Sequence, residues 1–240
     1  MLNYPKIKLK IDIKGDINNC INFIRSERKG IRNRFLFYFL PDEFQYILSK
    51  GFSTEERNKI IKEYTNHIYK IKRKEIKKGL EKAEKDWQRA EKEYFKLVDK
   101  IFKNYPWPKG NYRGIISIWH MFPRYIDHKI FFFPYNHRAP KFSNNVIAHE
   151  MLHFIFFDYL KKEYKLKEGS KIKNKPDDYI WKVSEVFNNV IEDWKPYNKL
   201  FKNKPNPYTG TEKMFSRMKK QWREKQDIDW LLGKWLDGKK

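Results

Sequence analysis

The chain has 240 residues, enough for one large domain or a domain with an appendage. Lys and Arg number 53 against 30 Asp and Glu, a net charge of +23, and 18% of residues are aromatic, so a sizeable core under a strongly basic surface is expected. The single cysteine, Cys20, excludes an intramolecular disulfide and a cysteine-based zinc site, and reads as a small buried hydrophobe. No run of about 18 apolar residues offers a membrane span. Residues 1–5 lead into alternating Lys and Ile rather than a signal peptide. The expectation is a soluble, cytoplasmic protein.

The charge has two readings. One is a functional surface for nucleic acid or another anionic partner. The other is a compositional bias toward Lys, Ile, Glu and Asn, as in AT-rich or heat-adapted organisms. The lysines are spread along the chain, which favours composition, but their excess over acids keeps an anionic partner open.

Residues 6–14 alternate Lys with apolar side chains, a period-two pattern predicting a half-buried strand, and residues 17–28 read as a short helix. Residues 34–40 form an aromatic strand or buried segment ended by Pro41, and residues 42–51 a short helix stopped by Gly51. Ser53-Thr54-Glu55-Glu56 is a helix start, with a hydroxyl cap and acids in the first turn. Helical pattern continues to about residue 103. Its second half carries an apolar residue every four and three positions, from Ile76 through Leu80, Ala83, Trp87, Ala90, Tyr94 and Leu97 to Ile101. Ile61, Tyr64, Ile68 and Ile71 make a similar stripe out of step with it. The pattern predicts one long helix or a hairpin bent near Lys77-Lys78-Gly79. Its stripe reads as a packing seam, with a dimerising coiled coil as the alternative. Strands follow at residues 114–119 and 129–133, then helices at 146–160 and from Asp177 or Asp178 to Trp194. The tail from residue 204 is helical, anchored by Trp222, Trp230, Leu231, Leu232 and Trp235. The organisation expected is an N-terminal strand and helix region (1–52), a long helix or hairpin (53–104), a core (105–200) and a helical tail (201–240).

The core's first helix carries His149-Glu150-Met151-Leu152-His153. Two histidines four apart share one helix face and can offer two imidazoles to one metal ion. Glu150 beside them supplies a carboxylate placed to take a proton from a metal-activated water, the arrangement of a zinc hydrolase. Ser143-Asn144-Asn145 offers helix caps just upstream. The segment is apolar on every side, as in a buried central helix, and burying two His and a Glu there is costly unless they are satisfied. The competing explanation is a hydrogen-bonded polar cluster in the core.

Catalytic zinc takes three protein ligands, and no histidine follows His153. Asp158 faces about 140° away from His153 around the helix. The next acids are Glu185, Glu192 and Asp193 on the second helix. Glu185 is preferred, because Asn189 one turn on could accept the free N–H of a liganding histidine. Glu192 and Asp193 remain alternatives.

His149-Glu150-Met151-Leu152-His153, followed by Glu185-Val186-Phe187-Asn188-Asn189 on a later helix, resembles the gluzincin branch of the zincin metallopeptidases. The resemblance spans residues 114–194. The second motif departs from the commoner pattern in having Ser184 before the Glu and Asn189 four residues after it. The fold class implied is α+β, a zincin-like domain with a small mixed sheet, a backing helix, the motif helix and a glutamate helix, joined to the long charged helix. The resemblance also implies that residues 129–133 form a sheet edge that takes up an extended peptide, although for the Phe131–Phe133 side chains a place in the core is favoured. It implies zinc on His149, His153 and Glu185, Glu150 as general base, and a Tyr as oxyanion donor, for which Tyr197 and Tyr208 are the candidates. The function expected is a zinc metallopeptidase acting on peptide or protein substrates. The alternatives are a nucleic-acid-associated protein, including a peptidase acting on DNA-bound proteins, and a latent peptidase whose cleft is filled by the tail or the helical arm. The oligomeric state is left open.

Overall fold

The computed structural model describes residues 4–26, 40–48, 51–136, 142–202 and 204–236. The protein is mixed α+β, a four-stranded sheet with many helices. It divides into two compact units. The sheet unit comprises Lys6–Asp86 and Asn111–Ile147, and the helical unit Met1–Pro5, Trp87–Gly110 and Ala148–Lys240. The segments 53–104 and 105–200 each contribute to both. Among the described residues, no helix is long and apolar enough to cross a membrane.

In the sheet unit, β1 (Ile7–Lys10) is shorter than its alternating pattern. Asp12 ends it: its Oδ1 accepts from Gly15 N (2.9 Å), an N-cap that starts α1 (Ile13–Ser26) and draws Lys14 into the helix. β1 runs parallel to β2 (Tyr112–Ser117), and β2 runs parallel to β4 (Ile130–Pro134). The two-residue β3 (Arg124–Tyr125) pairs antiparallel with β4, giving the order β1-β2-β4-β3. Gly114 in β2 sits between Leu9 and Phe131, and a Cβ there would lie 2.5 Å from Leu9 Cδ2 and 2.8 Å from Phe131 Cζ. Only glycine fits.

The anticipated substrate edge at residues 129–133 is corrected here. Phe131 pairs with Gly114 on one side and Arg124 on the other, so β4 is an interior strand. Phe131, Phe132 and Phe133 are all buried, as a strand covered on both faces requires. A tight turn, with Lys129 in the left-handed region (φ 53°), brings β3 back across it. The anticipated aromatic segment at 34–40 lies, apart from Leu40, outside the described residues, and residues 42–48 form a 3-10 helix.

α2 (Thr54–Ile71) begins with the anticipated capping box, Ser53 and Glu56 bonding each other's backbone N–H. After the single residue Lys72, α3 (Arg73–Ile101) continues. The break therefore falls at Lys72, not at Gly79. Gly79 serves a close approach instead: a Cβ there would stand 2.1 Å from the carbonyl oxygen of Tyr135. The heptad residues Ile76, Ala83, Trp87, Ala90, Tyr94 and Ile101 are buried within the chain. In α2 the buried face is Ile61, Thr65 and Tyr69, while Ile71 is exposed.

The helical unit is built on α4 (Phe142–Tyr159), whose residues from Ala148 on belong to it. Met151, Leu152, Phe154, Ile155 and Phe156 leave no polar face, so the helix is buried all round. Ser143 lies in its first turn and donates to Pro134 O (2.9 Å), rather than capping it. A π-helical turn (Leu160–Tyr164) ends it at Lys165, which adopts the left-handed conformation. Next come α5 (Tyr179–Asp193), α6 (Lys195–Phe201, with Pro196 in its first turn), α7 (Glu212–Glu224) and α8 (Ile228–Gly233). The tail docks on the end of α5: Lys219 holds Asp193 (2.9 Å), and Trp222 meets Trp194 edge to face.

Candidate metal centre

α4 presents His149 and His153 one turn apart, and α5 presents Glu185 and Glu192 two turns apart on one face. Within the helical unit these faces meet. His149 Nε2 lies 3.0 Å from His153 Nε2 and 3.2 Å from Glu185 Oε2. His153 Nε2 lies 3.4 Å from Glu185 Oε1. Among the described residues, His149, His153 and Glu185 are the one group of three or more such side chains that could hold a metal ion.

These separations fit a metal. Ligand atoms at about 2.0–2.1 Å from a tetrahedral zinc stand about 3.3 Å apart along each edge. The three observed spacings scatter around that value. His153 and Glu185 are buried, while the His149 side chain is 20% exposed and opens the cluster to solvent. Glu150 is also buried. Three carboxyl groups, Glu150, Glu185 and Glu192, thus surround two imidazoles in a nearly dry site. Such a set is costly to bury without a cation to share it.

Burial would push the His149 pKa down. The charge of Glu192, the hydrogen bonds to Glu185 and Glu192, and the charge of Glu150 outweigh it and hold the pKa well above the usual histidine value. The carboxylates at its two ring nitrogens thus favour the protonated form of His149.

Glu192 is the residue whose role the sequence did not reveal. Its Oε1 accepts from His149 Nδ1 at 2.6 Å, on the ring edge opposite Glu185. It takes the orienting role anticipated for Asn189, whose amide instead donates to the Glu185 carbonyl one turn back in its own helix (2.8 Å). The signal was the seven-residue spacing of Glu185 and Glu192, which puts both on one face. Asn188, between them, donates to the His149 carbonyl (3.0 Å) and ties α5 to α4.

The other candidates lie elsewhere. Asp193 holds Lys219 and Arg223 of the tail, and Asp158 accepts from Tyr105 (2.8 Å). Tyr197 is fully buried against Tyr94 and Phe201, and its hydroxyl has no hydrogen-bond partner among the described residues. Burial, then the charge of Glu192, raises its pKa well above the ordinary tyrosine value. Tyr208 is exposed, with its ring against Trp181. His67, His120 and His128 belong to the sheet unit. Cys20 is buried there too. No protein-family model, curated protein or solved structure matches the chain.

Proposed function

We propose that the protein is a zinc-dependent metallopeptidase of gluzincin type, with a zincin-like arrangement of motif helix α4 and glutamate helix α5. The observation that carries this reading is the convergence of His149 Nε2, His153 Nε2 and the Glu185 carboxylate at spacings of 3.0–3.4 Å. A chance pair of helices has no reason to place three donors at the edge lengths of a zinc tetrahedron beside a second glutamate.

In this reading His149, His153 and Glu185 hold the ion, which when bound supplies Lewis acidity and lowers the pKa of a water ligand to about 7. Glu192 fixes the His149 tautomer by accepting at Nδ1, which leaves Nε2 free to ligate. Glu150, next to the first ligand, accepts the proton lost from the attacking water and returns it to the leaving amine. The substrate is a peptide or protein.

One observation favours a second reading, an anionic partner. Between α4 and α5, seven lysines from Lys161 to Lys175 are all exposed on one connecting segment. Its test is the salt dependence of DNA and RNA binding, which falls steeply if lysines displace counterions.

Metal content by mass spectrometry tests the leading reading on purified protein, wild type beside Glu185→Ala. Near one zinc per chain, lost in the variant, together with zinc-dependent cleavage of a peptide library supports it. A wild type that takes up no zinc when zinc is supplied overturns it.

A further inference from the structure

The sheet unit contains a cavity of about 440 Å³ that owes nothing to the metal reading. It opens at the carboxyl ends of two adjacent parallel strands, β2 and β4. β2 ends at Ser117 and continues into Trp119 and His120, and β4 ends at Pro134 and continues into Tyr135. Tyr135 N donates to Ser117 O (3.3 Å), which pins the two strand ends together. The volume suits a small molecule.

One wall is α2. Tyr64 and Ile68 on one face of α2, next to the face that buries Ile61, Thr65 and Tyr69, line the cavity together with Lys72 at its C-terminal cap. Glu43, from the 3-10 helix, lines it as well. The rings are tightly set: Tyr64 and Trp119 have centroids 5.5 Å apart, and both pack on Phe44.

An ammonium, that of Lys72, and the carboxylate of exposed Glu43 therefore line the cavity. A tyrosine hydroxyl engages each: Lys72 Nζ donates to Tyr135 (3.3 Å), and Tyr64 donates to Glu43 Oε1 (2.9 Å). Opposite charges lining one cavity beside aromatic rings are complementary to a molecule carrying both charges on an apolar body. We propose that this cavity binds a small zwitterion of the chemical class of an aromatic amino acid or short peptide, its carboxylate toward Lys72 and its ammonium toward Glu43.

The test is calorimetric titration of the full chain with L-phenylalanine, L-phenylalaninamide, N-acetyl-L-phenylalanine and the dipeptide Phe-Gly. The free zwitterion or the dipeptide binds, the better of the two reporting the span between the charges, and each blocked form binds at least tenfold more weakly. Lys72→Met removes the discrimination against the amide and Glu43→Gln that against the N-acetyl form, each leaving the other intact. The proposal is overturned if no probe binds, if a blocked form binds as well as its zwitterion, or if neither variant changes the discrimination. Zinc content is unaffected by either variant, so failure here is distinguishable from failure of the metal reading.

Discussion

Glu192 Oε1 accepts a 2.6 Å hydrogen bond from His149 Nδ1 while Glu185 Oε2 stands 3.2 Å from the opposite ring nitrogen. The two carboxylates hold the imidazole from its two nitrogens. The two are separated by seven residues, two turns of α5, and cannot exchange roles unless the helix slides about 10 Å along its axis. If the cluster holds zinc as proposed, replacing Glu185 with Ala removes a ligand, whereas replacing Glu192 with Ala leaves the donor set whole but lets the His149 ring rotate. We expect Glu192→Ala to bind zinc about 10–100-fold more weakly than wild type. Glu192→Gln, which keeps an acceptor oxygen, should recover most of that loss. Competition against a chromogenic chelator measures both, and equal affinity of Glu192→Ala and wild type would remove Glu192 from the centre.

Zinc uptake should release protons. The carboxylates at its ring raise the His149 pKa well above 6.5, so the metal-free protein is expected to carry a proton there. A ligating imidazole must give up the proton on the nitrogen that binds, so near pH 7 uptake expels about one proton from this residue. Affinity then rises with pH until the raised pKa is passed. The stability sign runs the same way: a raised histidine pKa stabilises the metal-free fold below 6.5 and loses that contribution as pH climbs through the folded value. Titrations in buffers of different ionisation enthalpy count the proton directly. Uptake with no buffer dependence would contradict the imidazolium state.

Glu150→Gln separates holding the metal from using it. Glu150 is not among the three converging donors, so zinc stoichiometry should stay at the wild-type value. If Glu150 is the proton acceptor of the proposed peptidase, its loss should cut peptide hydrolysis by about 10²–10⁴-fold. A variant that keeps wild-type turnover would assign the base to another group.

The motif helix was legible because its chemistry is local: two histidines at helical spacing in an apolar run specify a buried face whatever surrounds it. That no histidine follows His153 pointed to the acids of the second helix, but the preference for Glu185 rested on Asn189, which bonds its own helix instead. The choice between Glu192 and Asn189 as the partner of His149 was not legible, because it turns on which residue of α5 the face of α4 meets. That angle is set by packing, including the Asn188 bond to the His149 carbonyl, and not by either helix's own pattern. Strand β4 misled for a similar reason. A run of three phenylalanines fits an edge or an interior strand equally, and the outcome depends on the two-residue β3, too short to show a period. Glycine at position 79 looked like a hinge because helix propensity was the only visible term, whereas the Tyr135 carbonyl lying against it is a tertiary fact.

That contact sets two effects against each other in Gly79→Ala. Helix propensity favours alanine by about 1 kcal/mol. A Cβ 2.1 Å from a backbone oxygen cannot be relieved by a side-chain rotation, and overpacking of this kind costs about 1–3 kcal/mol. The steric term should win, so the variant unfolds at lower denaturant than wild type. A more stable Gly79→Ala would show that Tyr135 moves aside freely.

Asp16 gives the sheet unit its own pH dependence. It is fully buried, with Oδ1 accepting from Ser117 Oγ (2.6 Å) and Oδ2 from Ile118 N (3.0 Å) and Tyr69 OH (3.0 Å). Burial pushes its pKa up from 3.8 to about 6 despite those bonds. The neutral acid is thus the form the fold prefers. Stability from this group is fully present below the unfolded value of 3.8 and is lost as pH rises through 6. At 1.36 kcal/mol per unit, the loss is about 3 kcal/mol at full size. Asparagine can keep the network, its oxygen accepting from Ile118 and Tyr69 and its amide donating to Ser117 Oγ, which already accepts from Trp119 N (3.0 Å). Asp16→Asn should therefore match wild type near pH 4 and exceed it by about 1–3 kcal/mol above pH 7. Denaturant titrations of the pair across this range isolate the effect, since every other carboxyl is common to both proteins. A stability difference that stays constant with pH would show that Asp16 titrates at its ordinary value in the fold.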